Sequence, residues 1–63
     1  MMKSQGIVRR IIEKNGEFLV SFAEHPAYFS VPETLRGKLR TAEKSGAEIV
    51  FTYDIHMNIT GLS

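Results

Sequence analysis

The chain has 63 residues, of which 43% are hydrophobic and 24% charged, and it contains no cysteine. This length allows one domain with a small core, and the lack of cysteine excludes disulfides and thiolate metal sites. A net charge of +1 is far below the basic excess of a dedicated duplex-binding domain. We therefore expect a single domain over residues 1–63, in which any nucleic-acid contact comes from a local group of basic side chains.

The amino-terminal residues lack the pattern of an export signal. Arg9 and Arg10 interrupt the first apolar stretch, so no continuous signal-peptide core can be drawn. No other run approaches the roughly 20 apolar residues that span a bilayer. The sequence thus predicts a soluble, cytoplasmic protein that does not associate with a membrane.

The first element, residues 6–14, fits two kinds of secondary structure. Its β-branched residues favour a strand, whereas its apolar spacing also fits one face of a helix. The Asn15-Gly16 pair that follows lies between two β-rich runs, and this is the strongest short-range hairpin signal. We therefore predict a strand and a two-residue turn, with a helix as the alternative.

A two-residue turn also predicts which residues face each other across this hairpin. Ile11 lies opposite Val20, and Arg9 would then lie opposite Phe22. A charged residue facing a buried ring is unfavourable. We therefore expect either a bulge near Arg9 and Arg10 or an open face at this end of the hairpin.

The remaining elements follow from the spacing of apolar residues. Alternation predicts strands over residues 17–23, 27–31 and 47–53, and turn residues before position 58 favour a return strand over 58–62. Residues 33–44 have apolar side chains at helical spacing and predict one helix. The predicted interior contains all four phenylalanines, which are Phe18, Phe22, Phe29 and Phe51.

The predicted element order is β-β-β-α-β-β. A five-stranded oligonucleotide/oligosaccharide-binding (OB) barrel has this order, with its helix between the third and fourth strands. We therefore predict a mainly β fold with one helix, arranged as a small five-stranded OB-like barrel. A two-layer α+β sheet is the alternative.

No motif indicates catalysis, a metal site or a cofactor. His25 and His56 lie in separate predicted turns, and neither has a neighbour at metal-ligand spacing. The carboxylates of Glu24 and Asp54 have no sequence relation that would place them together. Nucleophile elbows and phosphate-binding glycine loops are absent. We predict a protein that is not an enzyme and uses neither cofactor nor metal.

Two groups of basic residues are candidate contacts. Arg9 and Arg10 lie in the first strand, while Arg36, Arg40 and Lys44 share one helix face through i+4 spacing. A solvated helix face explains the second group, with a phosphate-contacting or acidic-partner surface as the alternative.

Tyr28 completes the candidate contacts, because it alternates out of the core of the third strand. Beside Arg9 or Arg10 its ring would stack on a base flanked by phosphate contacts. Our leading interpretation is a non-catalytic interaction module that acts through protein contacts. Weak single-stranded nucleic-acid binding through Tyr28, Arg9 and Arg10 is the alternative.

Self-association is the protein contact that the composition favours. A core this small, without disulfide or metal, is marginally stable. The first strand also places Val8 and Ile12 on the face opposite Ile7 and Ile11, which leaves one apolar pair to be covered. A partner could cover this pair, or the helix could do so through Leu35 and Leu39. The sequence therefore predicts a homodimer formed through an exposed strand edge or through this apolar part of the first strand.

Overall fold

The computed structural model describes residues 2–62, which form one antiparallel sheet and a short helix. A 3-10 turn, Glu33–Leu35, leads into helix α1, Arg36–Ser45. The mainly β class with one helix is confirmed, and the strand order in the sheet is β3-β2-β1-β4-β5. The strands are β1 Met2–Lys14, β2 Glu17–Phe22, β3 His25–Ser30, β4 Glu48–Tyr53 and β5 Ile59–Leu62.

The central strand β1 pairs with a different neighbour along each half. Residues 2–7 pair with β4, and residues 8–14 pair with β2. The strand interpretation of residues 6–14 is confirmed, and the helical alternative is wrong. β1 also begins before the predicted start at Gly6, because residues 2–5 pair with β4 far along the chain.

The turn between β1 and β2 has the predicted geometry. Asn15 and Gly16 have φ of 52° and 79°, the left-handed conformations that a type I′ turn requires. Ile11 pairs with Val20 as predicted. The local turn signal therefore sets the register at this end of the hairpin.

Further along β1 the register shifts at Arg9, so the bulge alternative is confirmed. The extra residue brings Val8, rather than Arg9, opposite Phe22. Val8 is buried in the core, whereas Ile7 is 39% exposed. The prediction that Val8 shares a face with Ile12, opposite Ile7 and Ile11, is wrong, because the bulge reverses the alternation of faces and places Val8 in the core.

β3 begins at His25, two positions before the predicted start at Ala27. The turn consists of Ala23 and Glu24, and Phe22 already pairs with His25. The placement of His25 in a turn is therefore wrong. Its pairing with Phe22 makes it the first residue of the strand.

The helix packs one apolar side against the sheet, as its spacing predicts. Leu39 and Ala42 are buried in the core, and Leu35 packs against it. The α-helical hydrogen bonds begin later than predicted, since Glu33–Leu35 forms a 3-10 turn instead. At the other end Gly46 has φ of 70° and donates its backbone N–H to the Ala42 carbonyl oxygen at 3.0 Å. No helix within residues 2–62 is long and apolar enough to traverse a bilayer.

Three phenylalanine rings form the centre of the core. Phe22 of β2 stacks on Phe51 of β4, with ring centroids 4.4 Å apart and planes 9° apart. Phe29 of β3 meets both rings edge-on, at 5.6 Å from Phe22 and 5.2 Å from Phe51. These contacts join the half of the sheet built on β2 to the half built on β4.

The end of β3 contacts the residues that precede β5. Ser30 forms an isolated parallel bridge with Asn58, and its backbone N–H donates to the Met57 carbonyl oxygen at 2.9 Å. The sheet is not closed into a barrel between the edge strands β3 and β5. The barrel and its OB-like order therefore stay predictions.

Replacing Phe51 with alanine should abolish most of the stability of the fold. Truncating a buried Phe costs about 3 to 5 kcal/mol, and a core of this size supplies roughly that much in total. Chemical denaturation of Phe51→Ala is the measurement. Ile55→Ala is the matched control, because Ile55 is 81% exposed and its truncation should leave stability unchanged. Wild-type stability in Phe51→Ala would contradict a core centred on the stacked rings.

Candidate binding site on the outer face of the sheet

The structure brings Arg9, Arg10 and Tyr28 around one recess. Arg10 pairs with Ser21 across β1 and β2, and Ser21 pairs with Tyr28 across β2 and β3. Paired residues on neighbouring strands project from the same face, so these side chains form a row. The recess has a volume of about 180 Å³ and is lined by Arg9, Arg10, Ser21, Phe22, His25, Pro26 and Tyr28.

The bulge is the reason that two consecutive arginines border the same recess. In a regular strand Arg9 and Arg10 would project to opposite faces. Here the extra residue breaks the alternation, and both side chains line the recess while remaining exposed. Among residues 2–62 the observed ion pair joins Arg40 and Glu13, so neither arginine of the recess has a carboxylate partner.

His25 also lines the recess, although its ring packs on the core side of β3. Its Nε2 lies 2.7 Å from Ser4 Oγ, which is hydrogen-bond distance. The ring also packs edge-on against Phe22 and Phe29, with centroids 6.5 and 5.8 Å away. His25 is not among the candidate contacts predicted from the sequence. The signal was available, because the alternation of Phe29 and Ala27 continues to position 25 and places His25 on the strand.

The aromatic side chain at the rim of the recess is Tyr28. It is 38% exposed, which leaves part of its ring accessible. Pro26, two positions earlier on the same strand, also lines the recess. The predicted combination of an accessible ring with two arginines is therefore present on one surface.

The helix arginines have a different environment. The guanidinium groups of Arg36 and Arg40 lie over the Phe18 ring, 5.5 and 5.1 Å from its centroid. Arg36 also donates hydrogen bonds to the carbonyl oxygens of Val31 and Gly16, both at 3.3 Å. These contacts tie α1 to the β1–β2 hairpin and place two cationic groups against a core ring.

Arg40 completes this attachment through its ion pair with Glu13 of β1. A second recess, of about 270 Å³, lies here and is lined by Glu13, Lys14, Asn15, Gly16, Glu17, Arg36 and Arg40. It mixes both signs of charge and shares no residue with the first recess. Lys44 is exposed near the end of α1 and lines neither recess. The predicted three-charge helix stripe is thus divided into two arginines that hold the hairpin and one exposed lysine.

The β4–β5 loop is organised by the Asp54 carboxylate. Its Oδ1 accepts hydrogen bonds from the backbone N–H groups of His56 and Asn58, at 2.8 and 3.0 Å. Its Oδ2 accepts from the Asn58 side-chain amide at 3.2 Å. The Asn58 backbone N–H is the main reason that the pKa of Asp54 lies below its usual value of 3.8, with further lowering by the Asn58 side chain and by His56.

The carboxylates of Glu24 and Asp54 accept backbone hydrogen bonds in different parts of the chain. Glu24 accepts the backbone N–H of Ile7 at 3.2 Å, and Asp54 accepts those of its loop. Within the described part of the chain, no three His, Asp or Glu side chains form a cluster suited to a metal ion. The recess between Arg9, Arg10 and Tyr28 is therefore the strongest candidate site.

No family model, curated protein or solved structure matches this chain. Two guanidinium groups bind anions, the Ser21 and Tyr28 hydroxyls donate hydrogen bonds, and the Tyr28 ring accepts a planar group. This set of groups is suited to a ligand that combines an anion with an aromatic ring.

Removing the Asp54 carboxylate should destabilise the protein at neutral pH but not in acid. A lowered pKa in the folded state means that ionised Asp54 stabilises the fold above its usual pKa of 3.8. This contribution is lost as the pH falls through the lower folded-state pKa. Urea unfolding of Asp54→Ala should differ from wild type at neutral pH, and the difference should shrink below 3.8.

Asp54→Asn is the control for this prediction. It keeps an oxygen that accepts the backbone hydrogen bonds of the loop but removes the titrating group. Its stability should lack the acid-dependent contribution of Asp54. A difference between wild type and Asp54→Ala that stays constant across the acid range would contradict the role of the carboxylate charge.

Proposed function

We propose that this protein is a non-catalytic module that binds single-stranded nucleic acid in the recess between Arg9, Arg10 and Tyr28. The supporting observation is the placement of two guanidinium groups, neither with a carboxylate partner among residues 2–62, beside an accessible aromatic ring. Arginine contacts phosphate, and a tyrosine ring stacks on a base of any sequence. One nucleotide would therefore engage both parts of the recess.

The charge distribution favours a single strand over a duplex. The net charge is +1, and Arg36 and Arg40 are engaged with the hairpin. Two free arginines provide few phosphate contacts, whereas duplex binding relies on many. Stacking on Tyr28 also needs a base that is not already stacked between its neighbours. Both points favour a flexible strand as the ligand.

An OB-like barrel is part of the same proposal. OB folds bind oligonucleotides on the face formed by strands two and three, and the recess has residues from β2, β3 and the adjoining part of β1. The Ser30–Asn58 bridge marks the position at which β3 and β5 would close such a barrel. The location of the recess thus supports the ligand class.

Replacing both recess arginines should abolish binding to a single-stranded oligonucleotide with hydroxyl ends. Fluorescence anisotropy across a salt series measures this. With two phosphate contacts, the logarithm of the wild-type association constant should fall against the logarithm of salt concentration with a slope of roughly −1.4. The Arg9→Ala/Arg10→Ala variant should lose both the affinity and the slope. Lys38→Ala, which removes an exposed charge on α1, is the matched control and should bind normally.

Tyr28 variants separate stacking from charge. Tyr28→Phe keeps the ring and should bind as wild type, whereas Tyr28→Ala should lose about 1 to 3 kcal/mol of binding free energy. Wild-type affinity in both Tyr28→Ala and the double arginine variant would show that the oligonucleotide does not occupy this recess.

Self-association through a strand edge is a second candidate function, and it is the alternative to a closed barrel because it needs the sheet to stay open at β5. β5 is an edge strand whose residues include neither Lys nor Pro, the residues that discourage edge pairing. β3, at the other edge, contains Pro26 and is less suited to pairing. A second copy of the chain would therefore add to the sheet along β5.

A lysine in β5 should prevent such a dimer. Sedimentation equilibrium across a concentration series should give wild-type masses above the 7.1 kDa monomer. Thr60→Lys should restore the monomer, because it places a charge on the exposed edge. Thr41→Lys, an identical change at an exposed position on α1, should leave the dimer intact. A wild-type mass that stays at the monomer value would exclude the dimer.

A further inference from the structure

We infer that the recess recognises the phosphorylated end of a nucleic-acid strand, a phosphomonoester, in preference to an internal phosphodiester. This inference rests on the proposed function, because it names the part of that ligand that enters the recess. The feature that points to it is the bulge at Arg9, which directs two adjacent arginines to one small recess.

The charge of the recess matches a terminal phosphate. A phosphodiester carries one negative charge, whereas a phosphomonoester carries about −1.5 to −2 at neutral pH. Arg9 and Arg10 supply two positive charges, and the described residues provide them with no carboxylate partner. An internal phosphodiester would balance one guanidinium group, and the other would have to reach a neighbouring phosphate. A terminal phosphate balances both.

The size of the recess leads to the same ligand. Its volume of about 180 Å³ is below the roughly 300 to 1,000 Å³ of pockets that enclose a whole small molecule. It therefore accommodates a group at the end of a strand. A terminal phosphate presents three free oxygens to hydrogen-bond donors, and an internal phosphate is flanked by sugars on both sides. Besides the arginines, the lining includes Ser21 and Tyr28, two residues whose side chains carry hydroxyl groups.

The position of Tyr28 allows the same nucleotide to use its base. Ser21 lies between Arg10 and Tyr28 in the cross-strand row, so these two residues are two strands apart. Neighbouring strands are separated by about 4.8 Å, which places their backbones roughly 10 Å apart. A terminal nucleotide with its phosphate at the arginines would extend its base towards the accessible Tyr28 ring.

The decisive experiment compares oligonucleotides of one sequence that differ at their ends. Four forms are used: hydroxyl ends, a 5′-phosphate, a 3′-phosphate, and a 5′-phosphate capped as its methyl ester, which carries one charge. We expect at least one phosphorylated end to bind about tenfold or more tightly than the hydroxyl form, the gain of an additional charge-assisted contact. The methyl ester should bind like the hydroxyl form. Inorganic phosphate should compete only weakly, because it cannot stack on Tyr28.

Recess variants test whether the preference arises at this site. Arg9→Ala and Arg10→Ala should each remove the preference for the phosphorylated end, and both residues are exposed, so the fold should be retained and is checked by circular dichroism. Lys38→Ala should keep the preference. A preference that persists in both arginine variants would place the phosphate elsewhere and overturn the inference.

The remaining outcomes separate this inference from the proposed function. Equal, salt-sensitive binding of all four oligonucleotides would overturn the terminal-phosphate inference and leave single-strand binding intact. Absence of binding to every oligonucleotide would overturn both. Competition by inorganic phosphate as strong as that of the phosphorylated oligonucleotide would identify a simple phosphate site and would also overturn the inference.

Discussion

β1 pairs with β4 through its first half and with β2 through its second half, and the bulge at Arg9 lies where the two pairings meet. A bulge bends a strand and increases its twist, which allows one strand to serve two half-sheets that face a common core. It also brings Val8 opposite Phe22 on the core side. On the outer side it directs Arg9 and Arg10 to one recess. The core and the candidate site therefore depend on the same extra residue.

The packing of the rings explains how so short a chain sustains a fold without disulfides. The stacked pair Phe22 and Phe51 joins the two half-sheets, and Phe29 closes the cluster edge-on. Edge-to-face and offset-stacked rings add stabilisation beyond their buried area. At the other end of the core, Arg36 and Arg40 cover Phe18 and attach the helix to the hairpin. Two charged side chains of the helix thus help to cover a buried ring of the core.

The basic residues differ in whether the fold uses them. The basic residues of the helix are used structurally, so the free positive charge near aromatic surface is concentrated at Arg9 and Arg10. With a net charge of +1, long-range attraction to nucleic acid is weak. In the proposed function, affinity would therefore come from short-range contacts in the recess, and a chain end with a doubly charged phosphate would suit these contacts better than a uniform backbone.

Features that depend on neighbouring residues were determined by the sequence alone. The Asn15-Gly16 turn, the alternation of β2 and the helical spacing before Gly46 each encode local backbone geometry, and each appears in the structure. The bulge near Arg9 was also predicted as one of two alternatives, since a charge opposite Phe22 is costly. Arg9, Arg10 and Tyr28 were identified as candidates because their residue types and strand positions follow from the same local patterns.

Features that depend on pairing between distant segments were decided only by the tertiary structure. The extension of β1 through residues 2–5 requires β4, and the choice between a buried Val8 and a buried Ile7 follows from the position of the bulge. The role of Arg36 becomes visible only once the hairpin lies beside α1. Arg10 and Tyr28 border one recess only because the β1–β2 and β2–β3 pairs each have the observed register. Composition and spacing do not encode such registers, because they arise from hydrogen bonds and packing between residues far apart in the chain.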